Sequence, residues 1–448
     1  MKLSRVTCVR SLGTILIAFS LGTLSAAALD TSSSTDSHSK PASQLAATHH
    51  ATTHHATTHH TARRSAKHTS TAHPAAQSAP AHTAAHHTTA KSTTAKRSGT
   101  QSTQKHARRV SVRRRHRYYE RFTASSYVKG MVGAGDVTGG EDPVVRQAAI
   151  NALGDMNGTA VVIDPSNGRV LAMVNQKLAL SPGAEPCSTI KLSVALAVLS
   201  EGLVTRDTMV QLPGFRMNMT EALAHSNNLY FEKLGRELGF ERVHHYATEF
   251  GLGELAGYHI AGEQLGEYPA APIPASQGGV GRMCSFGQGV SMTPLQLGAL
   301  VAAIANGGTL YYLQHPTTPQ DVAHFQPRVK RKLDIARYVP EVEDGMAGAV
   351  EYGTARRLRL NFHELPVFGK TGTCSNEGTR FGWFASYSES PQGAMVTVFF
   401  LEGGRPTFGP RAAELTGEFY KNLWDQDYFA DKDQDAQNAS AATTRAAQ

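Results

Sequence analysis

Three short segments combine hydroxyls with an amine or an amide at close spacing. Ser188-Thr189-Ile190-Lys191 places a hydroxyl and an amine three positions apart. On a helix, positions i and i+3 share a face, so the two groups can touch. A serine hydroxyl is a poor nucleophile at its own pKa and needs a neighbouring base. A lysine can be that base only when burial or another cation depresses its pKa. The pattern is weak alone, since Ser37-x-x-Lys40 also matches it. The second segment, Ser226-Asn227-Asn228, is a polar turn between Leu223-Ala224 and Leu229-Tyr230-Phe231. It could aim Ser226 and Asn228 into a cleft; taken alone, its serine reads as a helix cap. The third, Lys370-Thr371-Gly372-Thr373, puts a cation and hydroxyls on a strand as a carboxylate-recognising edge. Its glycine lets a ligand backbone approach closely.

These segments need a scaffold, and the apolar pattern supplies one from about residue 142 to residue 425. Pro143 can open a helix that continues through Val144, Val145, Ala148, Ala149 and Leu153. Thr159 to Ile163 and Arg169 to Val174 read as strands joined by Pro165-Ser166-Asn167-Gly168, hence a hairpin. After the Pro182, Gly183 and Pro186 loop, a helix should start near Ser188 and stop at Gly202. A mostly helical middle follows to about residue 310. Phe381–Ser386 and Met395–Phe400 read as strands, and Ala412–Leu423 as a closing helix.

The ordered trio S-x-x-K, S-x-N and K-T-G resembles penicillin-binding proteins and serine β-lactamases. The likeness extends to the flanks: Gly158 to Met173 reads like the strand pair that opens a transpeptidase domain. Ser285 to Gly289, Met292 to Gln296, Ala305 to Gly308 and Gly353 to Ala355 are also similar to such domains. The fold this implies is α/β of the α+β kind. An antiparallel sheet from the N-terminal hairpin and C-terminal strands is flanked by helices, with an inserted all-helical subdomain and the cleft between.

The resemblance also implies roles. Ser188 would attack a D-Ala-D-Ala stem peptide, Lys191 would take its proton, and Ser226 would relay a proton to the leaving amine. Asn228 would hold Lys191 and the substrate amide. Lys370 would supply positive potential that also keeps Lys191 a base, and Thr371 and Thr373, with Gly372 between them, would seat the terminal carboxylate. The backbone N–H groups of Ser188 and Thr373 would form the oxyanion hole. No metal or organic cofactor is implied; the partners are peptidoglycan stem peptides, with β-lactams as covalent inhibitors. A D,D-carboxypeptidase differs only in using water as acceptor, and a penicillin-binding sensor keeps acylation but loses turnover. A β-lactamase is disfavoured, because Glu249, Glu254, Glu263 and Glu267, between the second and third motifs, form no E-x-x-x-N and Asn228 stands where class D enzymes carry an apolar residue. A zinc hydrolase is disfavoured by the lack of H-E-x-x-H.

The rest of the 448 residues differs in kind. Lys2, Arg5 and Arg10, then the Leu12–Leu24 apolar run and Ala26-Ala27-Ala28, read as a signal peptide or N-terminal anchor over 1–28. Export to the periplasm or cell envelope follows, with anchorage to the inner membrane as one form of it. Residues 29–141 read as a spacer without packed structure, first rich in His, Thr and Ala, then in Arg. Fourteen of the 21 histidines precede residue 120; His49, His50, His54, His55, His59 and His60 could capture metal, but a spacer is the simpler reading. Residues 29–125 carry 15 Lys/Arg against 3 Asp/Glu, whereas the chain after them carries 26 against 33. The basic net charge therefore belongs to the tail, which rules out reading the whole protein as a basic nucleic-acid binder from its net charge. The Arg108–Arg121 run could contact anionic wall polymer or lipid. Residues 426–448 read as a frayed tail. Cys187, Cys284 and Cys374 remain after the leader; an odd number leaves a thiol over, and the three pairings stay open. Cys187 stands where transpeptidases of this kind often carry glycine.

Overall fold

The structure is a computed structural model that describes residues 124–430. The leader, the His-rich stretch, the Arg108–Arg121 run and residues 431–448 lie outside the described residues. In chain order the elements are α1 (Pro143–Leu153), β1 (Gly158–Asp164), β2 (Arg169–Val174), α2 (Gln176–Ala179) and α3 (Lys191–Ser200). The middle follows as β3 (Val210–Leu212), β4 (Phe215–Met217), α4 (Met219–Ala224), α5 (Asn228–Leu238), α6 (Phe240–Glu249), α7 (Gly279–Phe286) and α8 (Pro294–Ala305). Then come β5 (Thr309–Tyr311), α9 (Pro319–Ala323), β6 (Val329–Lys332), α10 (Val339–Glu351), β7 (Val367–Asn376), β8 (Thr379–Ser390), β9 (Gly393–Gly403) and α11 (Gly409–Trp424).

The main sheet has five antiparallel strands in the order β2-β1-β9-β8-β7. The hairpin and the C-terminal strands thus build one sheet, as the resemblance implies. Side chains alternate across its faces because the strand period is two. Val161, Ile163, Trp383, Ala385, Val398 and Phe400 pack on the side of α3 and α8. Ala160, Val162, Phe384, Phe399 and Leu401 pack against α1 and α11 on the other side. Covering both faces explains why β1 reads as a continuous apolar run rather than an alternating one. Helix α8 is apolar nearly all round and buried along its length, and a Thr293–Gln296 capping box fixes its start.

The packed body begins earlier than residue 142, where the composition placed its start. Ser126 is buried; its hydroxyl donates to the Arg405 carbonyl at 3.2 Å and accepts the Gly404 N–H at 3.0 Å. Asp136 and Glu141 each lie 2.8 Å from the Arg146 guanidinium, which ties the segment before α1 to α1 itself. At the other end, Tyr428 donates to Asp142 at 2.9 Å and Phe429 is buried, so the stretch read as tail from residue 426 packs at its start. Both segments look like spacer because their partners lie far off in sequence.

Candidate active site

Ser188 lies on a 3₁₀ turn, Cys187–Ile190, that runs directly into α3. Residues three apart eclipse one another in such a turn, which suits the S-x-x-K spacing. The Lys191 Nζ is 2.6 Å from Ser188 Oγ. It is also 2.8 Å from Asn228 Oδ1, 2.7 Å from the Ser285 carbonyl and 3.4 Å from Ser226 Oγ. A neutral amine has two hydrogens and one lone pair. If Asn228 and Ser285 accept the two hydrogens, the lone pair faces the Ser188 hydroxyl, which donates to it.

The surroundings favour that neutral form. Lys191 is fully buried, and the rings of Phe231 and Phe286 lie 5.8 and 5.9 Å from its nitrogen. Burial, reinforced by the Lys370 cation and opposed by Glu232, drives the Lys191 pKa well below the usual lysine range. Lys370 is equally buried, and burial lowers its pKa to about 7.

The second motif sits in the turn between α4 and α5. Its capping residue is Asn227, whose side chain accepts the Tyr230 N–H at 3.0 Å. Ser226 is therefore free of the capping role that its type alone suggests. Its hydroxyl accepts from Lys370 Nζ at 2.8 Å and its backbone is in the left-handed region, with φ of 54°. Close packing sets this turn in place: a Cβ added at Gly353 would lie 2.2 Å from the Ala224 carbonyl.

The third motif lies on β7, at the edge of the sheet, beside the Ser188 turn. A Cβ added at Gly372 would come within 2.8 Å of the Pro186 carbonyl, so glycine is what allows this approach. The loop before Ser188 is fixed from below by Trp383, whose indole N–H donates to the Glu185 carbonyl at 3.0 Å. Thr371 donates to the Thr354 hydroxyl at 2.7 Å, and Thr373 Oγ1 accepts the Gly409 N–H at 2.8 Å.

The five residues Ser188, Lys191, Ser226, Asn228 and Lys370 thus share one hydrogen-bonded network, with Thr371, Gly372 and Thr373 continuing along its wall. Two participants were not singled out from the sequence, and a third was among the three cysteine pairings left open there. The Ser285 carbonyl is a backbone group, which no side-chain pattern reveals. Thr354 lies in the Gly353–Ala355 stretch noted for its likeness to the family, but its hydroxyl has no motif of its own. The third is a disulfide between Cys187 and Cys374, whose Cα atoms are 5.5 Å apart. Cys284 is a buried free thiol.

Comparison with known proteins finds chains of similar sequence and structures of similar fold. Stage V sporulation protein D of Bacillus subtilis (strain 168) is 26% identical over 317 residues, 59% of this chain and 48% of its own. Peptidoglycan D,D-transpeptidase MrdA of Escherichia coli (strain K12) is 28% identical over 232 residues, 44% of this chain and 36% of its own. The chain therefore spans about half or less of the length of these curated relatives. Two crystal structures share the fold. A peptidoglycan glycosyltransferase from Burkholderia ambifaria aligns with a TM-score of 0.54 at 20% identity, covering 65% of this chain and 98% of that one. Penicillin binding protein 3 from Mycobacterium tuberculosis, complexed with aztreonam, aligns with a TM-score of 0.52 at 24% identity, covering 64% and 77%. The model of the penicillin binding protein transpeptidase domain matches residues 158–421, from the first strand of the sheet to the closing helix. A match over more than half of its length makes this chain a member of that family.

Proposed function

We propose that the chain is a serine D,D-transpeptidase that cross-links peptidoglycan stem peptides through an acyl-enzyme on Ser188. The observation that carries the reading is the 2.6 Å contact between Ser188 Oγ and the buried Lys191 amine, whose other acceptors leave a lone pair for the serine proton. Ser188 attacks the carbonyl of the D-Ala-D-Ala bond as its proton passes to Lys191. The oxyanion forms between the backbone N–H groups of Ser188 and Thr373, at the positive end of α3. Losing one such donor costs about 3–4 kcal/mol of barrier.

Ser226, which reaches both lysines, passes a proton to the departing amine, and D-alanine leaves. The amine of a neighbouring stem peptide then attacks the ester, takes the acyl group and returns Ser188 to its hydroxyl form. Lys370 and the Thr373 hydroxyl, whose hydrogen remains available while its oxygen accepts from Gly409, seat the substrate carboxylate. Asn228 keeps its amide N–H groups for the substrate peptide while its oxygen holds Lys191. β-Lactams would acylate Ser188 by the same attack. The relative named D,D-transpeptidase and the neighbour complexed with aztreonam support this reading. The reaction belongs in the cell envelope, outside the cytoplasm, where the leader-like N-terminus would deliver the body. The Arg108–Arg121 run would serve there as a contact to anionic wall polymer or lipid.

The test is intact-protein mass after incubation with benzylpenicillin, followed over time for wild type and Ser188→Ala. A lasting single adduct on wild type alone is expected. D-alanine release from a stem peptide, with and without an added amine acceptor, then separates transfer from hydrolysis. An adduct that forms and clears within minutes would make the protein a β-lactamase, and an adduct on Ser188→Ala would remove Ser188 as nucleophile.

A further inference from the structure

The Cys187–Cys374 disulfide joins two residues that flank the proposed oxyanion hole, one on each side. Cys187 immediately precedes Ser188, and Cys374 immediately follows Thr373. The Ser188 N–H belongs to the peptide plane shared with Cys187, so the backbone angles of Cys187 set where that N–H points. Cys187 has φ of 52°, in the left-handed region that favours glycine over any residue with a Cβ. A residue with a side chain is thus held at a strained position while its sulfur is bonded across the cleft wall to β7. Besides this bond, the turn touches β7 through the close approach of Gly372 to Pro186. The sequence separation of the bridge is 187 residues, so nothing local keeps its two ends together.

We propose that Cys187 and Cys374 are positioning residues for acylation: their disulfide fixes the spacing between the Ser188 turn and β7, and with it the two oxyanion donors. This rests on the acyl-enzyme reading above. Opening the bridge leaves initial binding intact, because Lys370, Thr373 and Asn228 stay on their own elements, and slows the step in which negative charge develops. Cys187 is buried, but Cys374 is partly exposed and lines a cleft with Thr373, Ser375 and Phe286, so a small reductant can reach it. With a water-soluble phosphine, two electrons and two protons convert the bond to two thiols, and the phosphine becomes its oxide with oxygen from water.

The experiment measures acylation of the full chain by a fluorescent penicillin, resolving the initial dissociation constant from the first-order acylation rate. It compares oxidised protein, phosphine-reduced protein and the Cys187→Gly/Cys374→Ala double variant. Alkylation in denaturant followed by mass measurement must count two more thiols after reduction. Reduction is expected to slow acylation about 10- to 100-fold, the scale of an ångström-sized misplacement, with the dissociation constant unchanged within about twofold. Oxidised glutathione should restore the rate. The double variant, in which glycine accepts the left-handed backbone, should acylate slowly and ignore the phosphine. An unchanged rate with the bridge verified open overturns the proposal and leaves the acyl-enzyme reading standing. So does a dissociation constant that worsens in step with the rate, which would mean that the bridge merely holds the fold. Absence of any Ser188 adduct in the oxidised protein overturns both.

Discussion

Lys191 and Lys370 are both fully buried and both reach the hydroxyl of Ser226, at 3.4 and 2.8 Å. Two ammonium groups cannot share so small a dry space at low cost, so the pair holds at most one extra proton. The environment assigns that proton to Lys370, since the Lys370 charge is one of the causes that lower Lys191.

Acylation should therefore follow a bell-shaped pH profile. Its acid limb rises as Lys191 loses its proton and becomes a base. Its alkaline limb falls as Lys370, with a pKa of about 7, loses the charge that seats the carboxylate. In Lys370→Met the repulsion is gone, so the Lys191 pKa rises. The acid limb should move to higher pH, the alkaline limb should vanish, and the maximum should drop. Acylation rate constants measured from pH 5 to pH 10 check this; an acid limb that stays in place in the variant would break the link between the two lysines.

Ser226 combines strain with chemistry, and two substitutions separate them. At φ of 54° a residue with a Cβ bears roughly 1 kcal/mol that glycine does not. Ser226→Gly should be more stable than Ser226→Ala by about 0.5–1 kcal/mol in urea unfolding. Both lack the relay, so both should acylate about 10²–10⁴-fold more slowly than wild type. Equal stabilities would mean that the turn relaxes in the alanine variant.

Arg146 anchors the segment before α1. Its guanidinium pairs with Asp136 and Glu141, whose side chains are 5% and 1% exposed, and donates to the Met173 carbonyl at 3.1 Å. Burial works against its charge, but the two carboxylates outweigh it and raise its pKa. Arg146→Met takes the guanidinium from two buried carboxylates, which keep the Asn175, Gln176 and Met173 N–H groups and His315 as partners, and should cost about 3 kcal/mol. The thermal midpoint should fall, and trypsin should cut at Lys129 well before it cuts the sheet. Protection of Lys129 equal to that in wild type would show that the segment is held by other contacts.

Much of the site was readable because its residues carry their chemistry in type and spacing. A serine three before a lysine, and a lysine beside threonine and glycine on a strand, state a nucleophile, a base and an anion edge. The hairpin was readable because β1 and β2 are bounded by a Pro-Ser-Asn-Gly turn, and Arg169–Val174 has the bounds expected from the pattern. The Ser285 carbonyl left no trace in side-chain identity, although the segment around it did. The disulfide was one of three pairings, and only the fold brings residues 187 and 374 together. Residues 124–141 read as spacer because their order depends on Arg146, Gly404 and Arg405, not on any apolar period of their own.

Pairing of β1 with β9, with Val161 opposite Val398, has a consequence for biogenesis. The first strand of the hairpin waits more than 230 positions for its second neighbour. At about 5–20 residues per second of synthesis, that is on the order of ten to fifty seconds. Throughout it, β1 has one open edge and two apolar faces, the geometry that pairs with the wrong chain. Contacts of such sequence separation also form slowly once available. The nascent hairpin is therefore a natural client for a holding chaperone, and a chain stopped before β9 would leave its earliest strands as a seed for aggregation.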